Sequence, residues 1–201
     1  DLVRYRAMRI RQTRMTDAEV EARIGELLAQ RARLREPQRR LTLERFAGRP
    51  IPLASHDDED PAEVRRNAAD GIRVSEFPVT MEAAVEAARI GVGVIAGAPN
   101  IVRGGSHSGN VAAMDLVRAG AADVLASDYV PAALIEAAFL MAEEIGLPRA
   151  IASITAAPAA MCGFADRGRL APGLRADVVR VARHGGHPVV REVWRSGARV
   201  A

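Results

Sequence analysis

Four short apolar runs in this chain each end in a polar cluster and give way to a stretch with helical spacing. They are Pro52 to Asp58, Ile72 to Pro78, Val92 to Asn100 and Ala122 to Tyr129. The runs alternate little between apolar and polar, as expected of strands buried on both faces. Strand and helix signals alternate from Arg49 to Glu144, which is the signature of parallel βα units joined by right-handed crossovers. This predicts an α/β fold that reads as half of a (β/α)8 barrel. In such barrels the reacting groups sit at the carboxyl ends of the strands, so His56, Glu76, Asn100 and Asp128 are expected at one mouth.

Local signals set the helix limits. Asp60 followed by Pro61 predicts an N-cap with proline in the first turn, and Gly71 closes that helix. Thr80 caps a second helix ended by Gly91, Asn110 begins a third ended by Gly120, and Pro131 begins a fourth ended near Gly146. Before the strands, Thr16 to Phe46 is helical by the spacing of Val20, Ile24, Leu27 and Leu28, and Pro37 predicts a break into two helices. After Pro148 one helix runs through Ala160. From Ala176 to Val200 the pattern alternates in the β manner, with Gly185-Gly186 as a hairpin turn flanked by His184 and His187 as loop residues. This tail predicts a small antiparallel sheet outside the barrel.

With 201 residues and four βα units, the chain is shorter than the roughly 250 residues of a whole barrel. It also begins with Asp1. The expectation is a chain that begins within a longer protein, whose N-terminal half-barrel covers the open strand edges.

All 28 basic residues are Arg. The absence of lysine excludes a Schiff-base lysine and a P-loop lysine. Residues 1–50 carry 13 Arg against 7 acids, yet aromatic residues are 3% of the chain and do not interleave with them. A nucleic-acid partner is therefore not expected. No apolar run spans a membrane and no signal peptide is visible, so the cytoplasm is the expected location. The single cysteine, Cys162, excludes an internal disulfide and is read as a small buried residue. Met81, Met114, Met141 and Met161 fall on helices and read as core filler.

Chemistry concentrates at the strand ends. His56 precedes Asp57, Asp58, Glu59 and Asp60, and reads either as an imidazole ligand oriented by carboxylates or as a strand-end residue before an acid-rich helix start. A carboxylate at Asp128 brings nothing to an apolar strand end unless a cation or donors satisfy it. Glu76 serves equally as a ligand or as a strand-end hydrogen-bonding group. Gly97 to Asn110 holds four glycines, two serines, Arg103, His107 and two asparagines. That composition suits wrapping an anion with backbone amides and a helix N-terminus, with Arg103 making bidentate phosphate contacts.

Taken together, Ser55-His56-Asp57-Asp58, Ser75 to Thr80, Gly97 to Asn110 and Ser127 to Pro131 resemble the C-terminal half of the PhnM family. This is the phosphonate-metabolism branch of the amidohydrolase superfamily. The stretches Thr155 to Pro158, Asp166 to Asp177 and Val193 to Gly197 are similar to the superfamily's return into its small β-sandwich. The resemblance implies residues 1–165 as the C-terminal half of the barrel, helical over 1–48 and built of βα units over 49–165, with 166–201 as strands of the sandwich subdomain.

It further implies a hydrolase that splits α-D-ribose 1-methylphosphonate 5-triphosphate into the 5-phosphate and pyrophosphate in the carbon–phosphorus lyase pathway. The implied cofactor is a divalent metal, zinc or manganese and often binuclear. His56 and Asp128 are the implied ligands, with Glu76 or His107 standing where relatives carry a strand-six histidine. A metal-activated water attacks phosphorus, Asp128 handles its proton, and Asp57, Asn100, Arg103, Ser106, His107 and Asn110 contact the phosphorylated small-molecule substrate. A homo-oligomer is expected. Two other readings stay open: an amidohydrolase acting on a cyclic amide or other C–N bond, and a non-catalytic scaffold with an incomplete metal site.

Overall fold

A computed structural model describes every residue except Asp1, Arg14, His107 and Ser108, and the side chain of Arg4 apart. The chain divides into two compact units, 1–50 and 51–201.

The first unit pairs α1 (Leu2–Thr13) with α2 (Asp17–Phe46). Thr16 starts α2 with a capping box. Its hydroxyl accepts from the Glu19 amide at 3.4 Å, and the Glu19 carboxylate accepts from the Thr16 amide at 2.7 Å. Two otherwise orphaned donors are satisfied reciprocally. Val20 and Ile24 are buried on α2, and Arg6 pairs with Glu21. The expected break at Pro37 does not occur, because α2 runs through it as one 30-residue helix. Proline removes one ladder bond at a cost of about 3 kcal/mol. Here the surrounding turns are rich in Leu, Arg, Gln and Glu, whose propensity favours continuation on both sides.

In the second unit, β1 (Ala54–His56), β2 (Val74–Glu76), β3 (Gly93–Gly97) and β4 (Val124–Ala126) form a parallel sheet in the order β1-β2-β3-β4. The expected strands and their parallel sense are therefore present. Helices α3 (Pro61–Ala69) and α4 (Met81–Arg89) connect the first three strands. Asp60 and Thr80 cap them, accepting from the Glu63 and Ala83 amides at 2.8 and 3.1 Å. The sheet face that carries Ser75, Val94, Ala96 and Leu125 is buried. Val94 packs with Val64, Ala83 and Ala87 of α3 and α4. Most of these contacts are made by alanine and valine, which lets the helices lie close on the strands. Glu86 on α4 accepts from Arg89 and Arg65, and these guanidiniums hold its carboxyl down to about 2. Arg65 belongs to α3, so the ion pair also braces one helix against the other.

Beyond β3 the structure departs from expectation in three places. The first part of the glycine-rich segment is helical, as α5 (Ala98–Arg103), because Pro99 pre-sets the first turn. The helix expected at Asn110 begins later, as α6 (Ala113–Arg118). After α7 (Ala133–Ile145) the single expected helix is two, α8 (Leu147–Ala152) and α9 (Ala156–Met161). Met141 of α7 sits at the centre of a cluster with Ala96, Ile101, Val117 and Leu125, and Met81 and Met114 pack against buried clusters as expected. Cys162 is exposed rather than buried, because α9 ends at Met161 and leaves it as the cap.

The tail forms an antiparallel sheet of β5 (Val178–His184), β6 (His187–Arg195) and β7 (Ala198–Arg199). Gly185 and Gly186 turn the hairpin at φ 58° and 89°, the left-handed pair that a two-residue turn of this type requires. His184 and His187 are not loop residues but the paired ends of β5 and β6, and His187 Nδ1 lies 2.8 Å from Glu136 of α7. In the loop before β5, Gly168 has φ 94°, and a Cβ there would meet the Ala159 Cβ at 2.8 Å. Only glycine lets this loop close on α9.

Candidate active site

Because the four strands are parallel, all their carboxyl ends lie on one edge of the sheet. The residues that leave that edge share an unusual backbone. Asp57, Phe77 and Asp128 have φ of 58°, 55° and 51°, in the left-handed region that side chains seldom adopt. The first two keep the ladder intact while turning the chain. The Asp57 amide donates to the Glu76 carbonyl at 3.0 Å and the Phe77 amide to the Ile95 carbonyl at 2.9 Å. Such conformations persist only where the surroundings impose them, and they concentrate at functional sites.

All three residues line one cavity of about 150 Å³. Arg103, Ser106 and Asn110 line it from the loop after β3. Asp57 and Asp128 therefore face the same small space as a guanidinium and an amide. Arg103 is steered by Tyr129, whose hydroxyl oxygen lies 3.2 Å from Nη1.

His56 and Glu76 flank the cavity rather than line it. They are register partners on adjacent strands. The His56 ring meets Phe77 edge-on, with centroids 5.4 Å apart and planes at 89°. Its Nδ1 lies 3.1 Å from an Asp57 carboxylate oxygen. With Nδ1 beside this carboxylate, Nε2 is the ring nitrogen left for a cation. Asp128 follows β4, at the far side of the sheet from β1, so it shares an edge with His56 across two intervening strands. Among the described residues, no three His, Cys, Asp or Glu side chains gather as a metal-binding group. His107, the second candidate for the strand-six position, lies outside the described residues.

In the loop after β3 several described backbone amides are bonded within the fold: Gly104 and Gly105 donate to Ile101 and Asn100, and Val111 donates to Val79. The Asn110 amide donates to Ser106 Oγ at 3.2 Å. Asn100 Oδ1 takes the Ala113 amide at 3.0 Å, and its Nδ2 donates to the Val111 carbonyl at 3.4 Å. Asn100 is thus committed to closing the loop, and it caps α6 from a distance. Among the described residues, Arg103, Ser106 and Asn110 are the polar side chains that this loop brings to the cavity.

One residue of consequence was not singled out from the sequence. Asp58 is buried at 1% exposure. Its carboxylate accepts from Ser55 Oγ at 2.6 Å, from Asn67 Nδ2 at 2.7 Å and from Ser75 Oγ. The available signal is that β1 and β2 both place serine just before their last residue, an odd choice for a strand covered on that face by helices.

No family model matches the chain. Over 190 residues it is 44% identical to the alpha-D-ribose 1-methylphosphonate 5-triphosphate diphosphatase of Escherichia coli (strain K12), a match covering 92% of this chain and 50% of that protein. The resemblance drawn from the four strand-end motifs is thereby borne out for the part of the relative that is matched. Among solved structures the chain resembles an amidohydrolase, with 21% identity and a TM-score of 0.56 over 79% of this chain and 46% of the other. It also resembles a prolidase complexed with N-methylphosphonate-L-proline, with 19% identity and a TM-score of 0.53 over 73% of this chain and 44% of the other. At these identities the two show a shared fold alone. The chain spans about half the length of each of these relatives.

Proposed function

We propose that the chain is the C-terminal half of a metal-dependent hydrolase that cleaves α-D-ribose 1-methylphosphonate 5-triphosphate to the 5-phosphate and pyrophosphate. The observation that carries this reading is the 44% identity, over 92% of the chain, to a diphosphatase named for that substrate. In this reading residues 1–165 are half of a barrel and 166–201 are strands of a small sandwich subdomain. The N-terminal half-barrel of the same polypeptide completes the mouth, the protein acts in the cytoplasm, and it forms a homo-oligomer. Among the described residues no helix is long and apolar enough to cross a membrane.

His56 and Asp128 are proposed as this half's share of a divalent zinc or manganese site, with Glu76 or His107 as a third ligand and the remaining donors on the other half. Such an ion, when bound, supplies Lewis acidity and positive charge against the phosphate oxygens. The chain's own groups divide the rest of the work. Asp57 holds the His56 imidazole by Nδ1. Arg103, oriented by Tyr129, neutralises the departing pyrophosphate, and Ser106 and Asn110 supply neutral donors beside it. Asp128, on strained backbone at the cavity wall, takes the proton of the attacking water. Asn100 keeps the loop that carries Arg103 in place.

Incubating the full-length polypeptide, with both half-barrels present, with the triphosphate, and separately with hydantoin- or dihydropyrimidine-type amides, tests the assignment when Mn²⁺ or Zn²⁺ is supplied. Pyrophosphate release from the first alone is expected. Turnover of the amides alone transfers the site to C–N bond hydrolysis. A folded preparation that keeps no divalent ion and turns over neither substrate makes the chain a scaffold.

A further inference from the structure

Asp58 lies one residue beyond Asp57 and two beyond His56, yet it touches neither the cavity nor any candidate ligand. Burying a carboxylate is costly unless donors surround it. Here the donors come from three elements: Ser55 of β1, Ser75 of β2 and Asn67 of α3. The backbone around it is tied in the same way. The Asp58 carbonyl accepts from the Val79 amide at 3.0 Å, and the Glu59 carbonyl accepts from the Thr80 hydroxyl at 2.9 Å. The loops after β1 and β2 are therefore fastened to each other on both sides of this one carboxylate. Those loops carry Asp57 and Phe77, whose left-handed backbones need an imposed conformation. They are also the residues that His56 touches, Asp57 at Nδ1 and Phe77 at the ring edge.

We infer that Asp58 is a positioning residue for this mouth: its hydrogen bonds to Ser55, Ser75 and Asn67 hold Asp57 and Phe77 in place and so aim the His56 imidazole. Stabilising a core does not require a carboxylate at this spot, since an apolar side chain packed under β1 and β2 serves that end at lower desolvation cost. What the carboxylate adds is direction, because three donors from three elements admit one placement of the loop. The purpose of the aimed imidazole rests on the hydrolase reading, whereas the aiming itself does not.

Nuclear magnetic resonance of the ligand-free protein with ring-labelled histidine tests the aiming, the His56 signal being assigned by its loss in His56→Gln. In the wild type a nuclear Overhauser contact between the His56 and Phe77 rings is expected. Asp58→Ala should abolish it and move the His56 ring signals away from their wild-type positions. Asp58→Asn should retain both, because its amide keeps an acceptor for the serines and Asn67 can rotate to face it. If Asp58→Ala does not fold, the paired change Ser55→Ala with Ser75→Ala removes two of the three donors and takes its place. Val64→Ala, a core change under α3, controls for lost stability and should leave the contact intact.

Binding of inorganic pyrophosphate in the presence of Mn²⁺ gives the second readout. Loss of the supporting bonds should weaken it by about tenfold or more. An unchanged ring contact in the folded variant, or pyrophosphate binding equal to the wild type's, overturns the inference. If the wild type itself binds no pyrophosphate, the hydrolase reading fails, and the ring contact alone decides the role of Asp58.

Discussion

The corner formed by the loops after β1 and β2 and the long loop after β3 reach the same cavity by opposite constructions. The corner is short and has no glycine within it. It places Asp57 and Phe77 in the left-handed region and holds them with a buried carboxylate. The long loop has glycine in plenty, and its Gly104 and Gly109 take the positive φ values without strain. Yet it too is closed by a single polar side chain, Asn100, bonded to backbone at Val111 and Ala113. In both places precision comes from a polar group satisfied across a loop.

The largest effect should come from a residue that neither anchor holds. Asp128→Asn keeps the shape but removes the base, so turnover of the triphosphate should fall by about 10²- to 10⁴-fold with the thermal midpoint unchanged. Substantial remaining activity would move the proton to another group.

A backbone change away from both loops provides a stability reference. Gly168→Ala sets a methyl against Ala159 at a φ that disfavours it, so urea denaturation should show about 3 kcal/mol of lost stability. Pyrophosphate affinity should not change, and a parallel loss of affinity would mean that the mouth is sensitive to any destabilisation.

Asn100→Ala sharpens the contrast between the two loops. It strands the Ala113 amide and should cost about 1–2 kcal/mol. Asn100→Asp keeps the acceptor for that amide and gives up only the longer bond to Val111, so it should cost less. Equal losses in the two variants, read by the same denaturation, would show that the cap on α6 is not what holds the loop.

The smallest effect is a pH dependence in the brace beneath the corner. Hydrogen bonds from Arg89 and Arg65 depress the Glu86 carboxyl to about 2, against an ordinary value of 4.5. A depressed acid contributes stability above its unfolded value and loses it as pH falls toward the folded one. The difference in thermal midpoint between wild type and Glu86→Gln should therefore be full near neutrality, shrink between about pH 4.5 and 2, and vanish below. A difference that persists at pH 2 would show that packing, and not charge, accounts for it.

Much of the architecture could be read along the chain. Thr16, Asp60 and Thr80 announce helix starts because a short polar side chain before a periodic run has few other uses. The four strand-end polar clusters announce the mouth because apolar strands end where they meet solvent. Pro37 misled, since a local penalty of a few kcal/mol is outweighed by good helix formers on both sides. Cys162 misled because its burial depended on where α9 stops.

What the sequence by itself determined is the set of βα units, the parallel sense of the strands and the edge on which the chemistry-bearing residues collect. These follow from hydrophobic period and capping, which act over a few neighbours. Only the tertiary structure decided that Asp58 joins Ser55, Ser75 and Asn67, that Asn100 closes its own loop, and that Asp57, Phe77 and Asp128 bend into one cavity. Apart from the Ser55 bond, those outcomes depend on hydrogen bonds between residues 9 to 17 positions apart, where satisfying a buried polar group is a property of the assembled layers.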